Sequence, residues 1–226
     1  MNKQRLYALI TGISLLVMAV VAGISMSYLS PILTLSFEEF GNKLTSIHSA
    51  LFSSIIGWGI ILLTDLIVSF SLFKYYQAKH PSKSKWMGAM RLIYSLILAF
   101  AISKLIGAYQ TSLLGNSVQA YYLIHSFNYI WQSGLIIFGI HLILLAPLVK
   151  SGTKILKVLY FFILIAGLGY VFSNTLNLFI PNYEEYRMYV ELPFIIPMVL
   201  GEVGLAIWML IRGGRETTPF QQAVAS

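Results

Sequence analysis

Four ionisable side chains lie within long apolar stretches of this 226-residue chain. They are Asp65, Arg91, His141 and Glu202. A charged side chain at the centre of a membrane-spanning helix costs roughly 2.5–3.5 kcal/mol, so such residues usually pair with one another or serve a function. Carboxylates and an imidazole can exchange protons, and together they can also hold a metal ion. These four residues are therefore the candidate site.

The composition indicates that membrane-spanning helices position these residues. Hydrophobic residues make up 58% of the chain and charged residues 10%, against about 45–50% and 25% in soluble domains. A helix needs about 20 apolar residues to cross a bilayer, and six segments reach that length. We predict an all-α, polytopic bundle with one transmembrane domain, residues 1–214, and a short polar cytoplasmic tail, residues 215–226. The six predicted spans are Leu6–Leu29, Leu51–Phe73, Trp86–Ala108, Ala120–Val149, Ile155–Ile180 and Leu192–Ile211.

The basic residues predict the orientation of the bundle. In membrane proteins, lysine and arginine are enriched in the cytoplasmic loops. Of the 15 basic residues here, only Lys43, Lys104 and Arg187 fall on the other side of the predicted spans. Both termini are therefore predicted to be cytoplasmic. The remaining basic residues are Lys3, Arg5, Lys74, Lys79, Lys83, Lys85, Arg91, Lys150, Lys154, Lys157, Arg212 and Arg215.

The four candidate residues all fall in the cytoplasmic half of their predicted spans, so they can converge. Arg91 keeps its charge, and we expect it to pair with Asp65 on the preceding helix. Glu202 and His141 are then expected to share a proton or a hydrogen bond. Tyr94 and Ser95, one turn beyond Arg91, are candidate supporting residues that can hydrogen-bond to Glu202 or His141.

Three functions fit such a cluster. It can be a packing lock, in which buried ion pairs specify which helices pack, within a structural or regulatory protein. It can be a proton-linked site for a small solute, because one arginine cannot neutralise two acids. It can also be the centre of an intramembrane hydrolase, with acid–base chemistry or a metal held by Asp65, His141 and Glu202. The chain has none of the HExxH, GxSxG or P-loop motifs, which favours a role other than catalysis.

A second polar cluster and two kinds of helix-packing signal accompany the candidate site. Asn174 and Asn177 lie with Tyr170 and Ser173 on about one face of the fifth predicted span, where we expect hydrogen bonds between helices. If the site is a transport path, this cluster instead supports it as an outer vestibule, together with His125 and Asn128. Gly167 and Gly201 are expected to allow close approach of helices. In the sixth span, Pro193 is predicted in the first turn and Pro197 at a kink. A short interfacial helix or a re-entrant segment is predicted in the loop of residues 30–49.

The charge and the cysteine content restrict the partners. The net charge of +7 is spread over short loops and does not form the basic stripe that nucleic acid requires, so we predict no nucleic-acid partner. The chain has no cysteine, which excludes disulfides and thiolate chemistry within it. We expect no cofactor. The lipid bilayer is the expected partner, and a second copy or an unidentified membrane or cytoplasmic protein are further alternatives.

Several segments resemble the prokaryotic integral membrane family catalogued as domain of unknown function 4386. The similarity extends over most of the chain from the second span onward. It implies a multi-pass protein of the cytoplasmic (cell) membrane of a bacterium or archaeon, and it places all four candidate residues in family-like segments. It implies no activity. The similar segments are LLTDLIVSFSLF, MRLIYSLILAF, GIHLILLAPLVKSG, IAGLGYVF and GEVGLAIWMLIRG.

Overall fold

The protein is described here by a computed structural model of residues 2–150 and 153–215, and these residues form an all-helical bundle. Every helix in this part of the chain except α2 is long and apolar enough to cross a membrane. The predicted six-span fold is therefore confirmed, while residues 216–226 of the predicted tail lie outside the described residues. The helices are α1 (Lys3–Leu33), α2 (Phe37–Asn42), α3 (His48–Gln77), α4 (Pro81–Leu113), α5 (Ser117–Val149), α6 (Lys154–Phe179) and α7 (Tyr183–Ile211).

The six long helices form a closed ring in chain order. Each packs on the next, from α1 and α3 through α4, α5 and α6 to α7, and α7 packs back on α1. From α3 to α7, each helix is joined to the next by a short connection, so successive helices are antiparallel neighbours. Because the ring is closed, inward-facing side chains from all six helices can meet near its axis.

Arg5 joins the first and last helices of the ring. Its Nη1 donates to the carbonyl oxygens of Met209 at 3.1 Å and Gly213 at 2.9 Å, and its Nη2 donates to that of Leu210 at 2.5 Å. The last carbonyls of a helix have no partner within it, so a cation there satisfies them. Gly214 adopts φ +65°, and a Cβ there would lie 2.5 Å from the Arg5 backbone nitrogen. The end of α7 is thereby held against the start of α1.

The last helix begins earlier than the sequence predicted. The expected span was Leu192–Ile211, but α7 starts at Tyr183. Its first turns are polar, and Arg187 Nε donates to Glu191 Oε1 at 3.1 Å, one turn apart. Such i,i+4 pairs support a helix where no apolar stretch marks it. Pro193 therefore lies inside α7, and its predicted place in the first turn was wrong.

The short helix α2 lies within the loop where an interfacial helix was predicted. Ser36 caps it, because its hydroxyl accepts from the Glu39 backbone N–H at 3.3 Å and its own N–H donates to the Glu39 carboxylate at 2.9 Å. These bonds from Ser36 hold the pKa of Glu39 below its usual value. Phe40 is buried and packs edge-on to Tyr121 of α5 at 5.5 Å between ring centroids. The loop is thus docked on the bundle.

Helices α5 and α6 approach closely at two glycines. A Cβ on Gly139 would lie 2.7 Å from the Gly167 carbonyl oxygen, and one on Gly167 would lie 2.8 Å from that of Gly139. Only a residue without a side chain fits such a contact. The approach brings the rings of Phe138 and Tyr170 to 5.3 Å, which matters for the site below.

Candidate functional site

The four candidate residues lie at similar depth in the ring. Asp65 precedes the end of α3, Arg91 follows the start of α4, and His141 and Glu202 precede the ends of α5 and α7. At 1.5 Å per residue, each lies about 12–18 Å from the helix end on that side of the ring. The depth expected from the sequence is therefore shared by all four residues.

Asp65 and Arg91 form a buried ion pair. Arg91 Nη2 donates to Asp65 Oδ1 at 2.5 Å, and the two side chains are 0% and 1% exposed. The expected pairing across neighbouring helices is present. The contact uses one carboxylate oxygen, and Asp65 Oδ2 and Arg91 Nε have no hydrogen-bond partner among the described residues. The ion pair is thus monodentate, and it lacks the second hydrogen bond of a bidentate arrangement.

His141 bonds to α4 at two points. Its Nε2 lies 3.2 Å from Arg91 Nη1, and its Nδ1 lies 2.9 Å from the backbone carbonyl oxygen of Met87. A carbonyl only accepts, so Nδ1 carries the hydrogen, and Nε2 accepts from the guanidinium. The hydrogen-bond pattern therefore assigns a neutral imidazole. The expected bond between His141 and Glu202 was wrong, because both ring nitrogens face α4.

Arg91 contacts side chains from three other helices. Besides Asp65 of α3 and His141 of α5, its Nη2 lies 3.7 Å from the sulfur of Met18 on α1. Its guanidinium lies 5.2 Å from the ring centroid of Phe138 on α5, a cation–π distance. Met18 and Phe138 are apolar residues in apolar helices, and nothing in the sequence marked them as part of the site.

Glu202 meets the cluster from the other side of the ring. It is partly buried on α7, and Tyr170 of α6 donates a hydrogen bond to its Oε1 at 3.4 Å. The Tyr170 ring in turn packs edge-on against Phe138, the ring that Arg91 faces. Glu202 is thus connected to Arg91 through two aromatic rings and not through His141. The polar side chain of Tyr170 was noticed in the sequence, but its partner on α7 was not.

The two supporting residues on α4 contribute differently from what was expected. Tyr94 is buried and packs against Phe138, with 5.0 Å between ring centroids. Ser95 Oγ donates to the Arg91 backbone carbonyl at 2.9 Å, within the same helix. Tyr94 therefore packs against the Phe138 ring that Arg91 faces. The Ser95 hydroxyl is bonded to a backbone carbonyl of its own helix. The expected hydrogen bonds to His141 or Glu202 are replaced by these contacts.

The second polar cluster divides between two roles. Asn177 Nδ2 donates to Gln132 Oε1 and joins α6 to α5, as expected of a hydrogen bond between helices. Asn174 Nδ2 instead donates to the Tyr170 carbonyl at 2.8 Å, and Ser173 Oγ to that of Gly169 at 2.8 Å, both within α6. Asn177 thus contributes to helix packing, and Asn174 holds the turn that carries Tyr170.

The geometry gives no support to a metal site. Within residues 2–150 and 153–215, no three His, Asp or Glu side chains are grouped so that they can hold a metal ion. Asp65 and His141 face the same guanidinium, so the cation between them is Arg91 itself. Glu202 instead accepts a hydrogen bond from Tyr170 of α6. The proposed ligand set Asp65, His141 and Glu202 is therefore not assembled.

Comparison with known proteins assigns the family. An uncharacterized protein of Archaeoglobus fulgidus is 29% identical over 160 residues, which cover 71% of this chain and 83% of that protein. No solved structure matches the chain. Residues 10–213 match the family described as Domain of unknown function (DUF4386), and this stretch contains all four central residues. The match spans nearly the whole helix ring and confirms the resemblance of the segments around those residues, so the chain belongs to the DUF4386 family.

Proposed function

We propose that this protein contains a proton-linked binding site for a small solute. We further propose that it lies in the cytoplasmic membrane of a bacterium or archaeon, with both termini inside. In this proposal the ring centre has two parts. Asp65, Arg91 and His141 form a fixed unit that holds α3, α4 and α5 together. Glu202 is the carboxyl that exchanges a proton, with Tyr170 as its hydrogen-bond donor.

The contrast between the two acids carries this proposal. Asp65 is 0% exposed and bonds a guanidinium at 2.5 Å, whereas Glu202 is partly exposed and accepts one 3.4 Å bond from a phenol. A long neutral bond is much weaker than a charge-assisted one. Of the two carboxyls, Glu202 is therefore the one that can change its proton or its partner without breaking the bundle.

Charge balance points to the same residue. Asp65 offsets the positive charge of Arg91, and His141 is a neutral acceptor in the bonding pattern. An ionised Glu202 adds an unbalanced negative charge to an apolar ring, which is costly in the membrane. A protonated Glu202 still accepts from Tyr170 and has one hydrogen to give to a solute. Loss of that proton from Glu202 can then be coupled to the entry or release of a charged solute.

Contacts of Glu202 provide a route by which its proton affects the rest of the ring. Tyr170 bonds Glu202 and packs on Phe138, which lies under the Arg91 guanidinium. A new negative charge on Glu202 attracts Arg91 across these two rings. By linkage, anything that changes the packing of Arg91 also changes proton binding at Glu202.

The packing lock remains the second candidate, and one observation favours it. Arg91 contacts side chains of α1, α3 and α5, so one residue organises four of the six ring helices. For a pure lock, Glu202 and Tyr170 simply contribute one more contact between α6 and α7. The two functions differ in whether protons move.

Proton flux in vesicles tests the proposal. The purified full chain is reconstituted in vesicles that enclose a pH-sensitive dye, and a pH gradient is applied with and without a panel of small charged and neutral solutes. We expect a solute-dependent proton flux in the wild type, lost in Glu202→Gln and retained in the matched control Glu38→Gln on α2. Absence of flux with every solute, or equal flux in Glu202→Gln, refutes the proton-linked site and leaves the packing lock.

A further inference from the structure

An apolar groove runs between α3 and α4 on the outer face of the ring. Its volume is about 320 Å³, within the usual range for ligand pockets of about 300–1,000 Å³. Phe70 is 58% exposed and Leu92 45%, so the walls face outward. In a membrane-spanning ring, an outward apolar groove contacts lipid chains. Its lining includes Leu66, Phe70, Phe73, Gly88, Ala89 and Leu92.

Two lysines lie at one end of this groove. Lys85 lines it and is exposed, near the start of α4. Lys74, near the end of α3, has its Nζ 5.6 Å from the ring centroid of Phe70 and 5.5 Å from that of Phe73, and both rings line the groove. Lysine stems commonly lie along apolar surface with the ammonium group at the membrane interface. The groove therefore has an apolar length and a cationic end.

No acidic residue lies close to these lysines in the sequence. Residues 66–183, which include the end of α3 after Asp65 and all of α4, α5 and α6, contain no Asp or Glu. The same turn adds Lys79 and Lys83. Asp65 is buried against Arg91 and faces the ring centre. The cationic end is thus complementary to an anion that also carries an apolar chain.

We propose that this groove binds an anionic phospholipid of the bilayer, with its phosphate at Lys74 and Lys85 and an acyl chain along Phe70, Phe73 and Leu92. The site is independent of proton exchange at Glu202. Leu66 follows Asp65 and Leu92 follows Arg91 in the chain, so the groove lies behind the turns that carry the ion pair. A bound lipid clamps α3 to α4 at that level.

Lipid retention measured by native mass spectrometry tests the site. The full chain in detergent is titrated with phosphatidylglycerol and with phosphatidylcholine of the same acyl chains. We expect tighter binding of the anionic lipid, and a loss of about five-fold in that preference for each of Lys74→Ala and Lys85→Ala. The matched control is Lys104→Ala, since Lys104 lies on the same helix with its Nζ 4.7 Å from the Phe100 ring. Equal losses in control and test variants overturn the proposal.

A second variant separates the acyl chain from the headgroup. Ala89→Phe fills the groove and leaves both lysines in place, and size-exclusion chromatography checks that the bundle is folded. We expect it to weaken phosphatidylglycerol binding to the level of phosphatidylcholine. Unchanged preference in Ala89→Phe, or displacement of the lipid by equimolar inorganic phosphate, shows a surface anion site only and overturns the lipid groove.

Discussion

One ring nitrogen of His141 accepts a hydrogen bond while the other donates one, and both partners belong to α4. Nε2 lies 3.2 Å from Arg91 Nη1, and Nδ1 lies 2.9 Å from the Met87 carbonyl oxygen. A neutral imidazole is the form that fits both partners, because a second ring hydrogen at Nε2 would face the N–H groups of Arg91. His141 therefore acts as a bridge between α5 and α4 within the site.

Replacing His141 tests this bridge. In His141→Leu, Arg91 loses a buried acceptor, and we expect a loss of about 1–3 kcal/mol in the free energy of unfolding. His141→Gln keeps an acceptor oxygen and should lose less. Thermal unfolding of both variants in detergent measures the difference. Equal destabilisation by Gln and Leu would show that ring shape, and not hydrogen bonding, is what matters at this position.

The ion pair should be sensitive to the loss of either partner alone. Arg91→Leu leaves Asp65 buried without a counter-charge, and breaking a buried pair in this way costs about 3–5 kcal/mol. The double variant Asp65→Leu/Arg91→Leu removes both charges and should recover much of that loss. A double variant less stable than Arg91→Leu would mean that the pair contributes net stability beyond cancelling its own charges.

The two acids should respond differently to neutralisation. Glu202→Gln keeps an oxygen that accepts from Tyr170, and we expect its stability to stay within about 1 kcal/mol of the wild type. Asp65→Asn leaves Arg91 charged in an apolar site and should destabilise much more. Thermal unfolding at neutral pH compares them. Similar large losses in both would place Glu202 within the packing lock and count against a proton-exchange role.

Close packing of α5 on α6 predicts a strong effect of one methyl group. Gly139→Ala brings a Cβ to 2.7 Å from the Gly167 carbonyl, and overpacking of this kind typically costs about 1–3 kcal/mol. Gly23→Ala on α1 is the matched control, because a Cβ there would meet nothing within 4 Å apart from its chain neighbours and the backbone of its own helix. Thermal unfolding should show a loss at Gly139 alone. Since Phe138 and Tyr170 meet beside this contact, Gly139→Ala should also alter any proton flux.

The sequence predicted the parts of this site that depend on sequence neighbours. The helices follow from apolar length, and the Asp65–Arg91 pair follows from two charges on consecutive helices joined by a short turn. The partners of His141 and Glu202 depend on helix rotation, which nearly uniform apolar helices do not encode in a periodic pattern. The contribution of Phe138 likewise depends on α5 facing both Arg91 and α6.

The start of α7 and the closure of the ring were missed for a different reason. Polar residues before Leu192 continue α7 as helix, although hydropathy alone places them in a loop. Arg5 was counted only as a topology signal, since its partners are backbone carbonyls at the other end of the chain. Backbone acceptors leave no mark in a sequence, so such contacts become visible only in the fold.

Ring closure by Arg5 gives a final prediction. Its guanidinium holds carbonyls of Met209, Leu210 and Gly213, so Arg5→Ala leaves the end of α7 without these donors. We expect a loss of about 1–3 kcal/mol and faster hydrogen exchange over the last turn of α7. Lys3→Ala, an exposed change two residues away, should leave both unchanged. If exchange at the end of α7 stays at the wild-type rate in Arg5→Ala, the ring is closed by apolar packing between α1 and α7, and the hydrogen bonds are incidental to it.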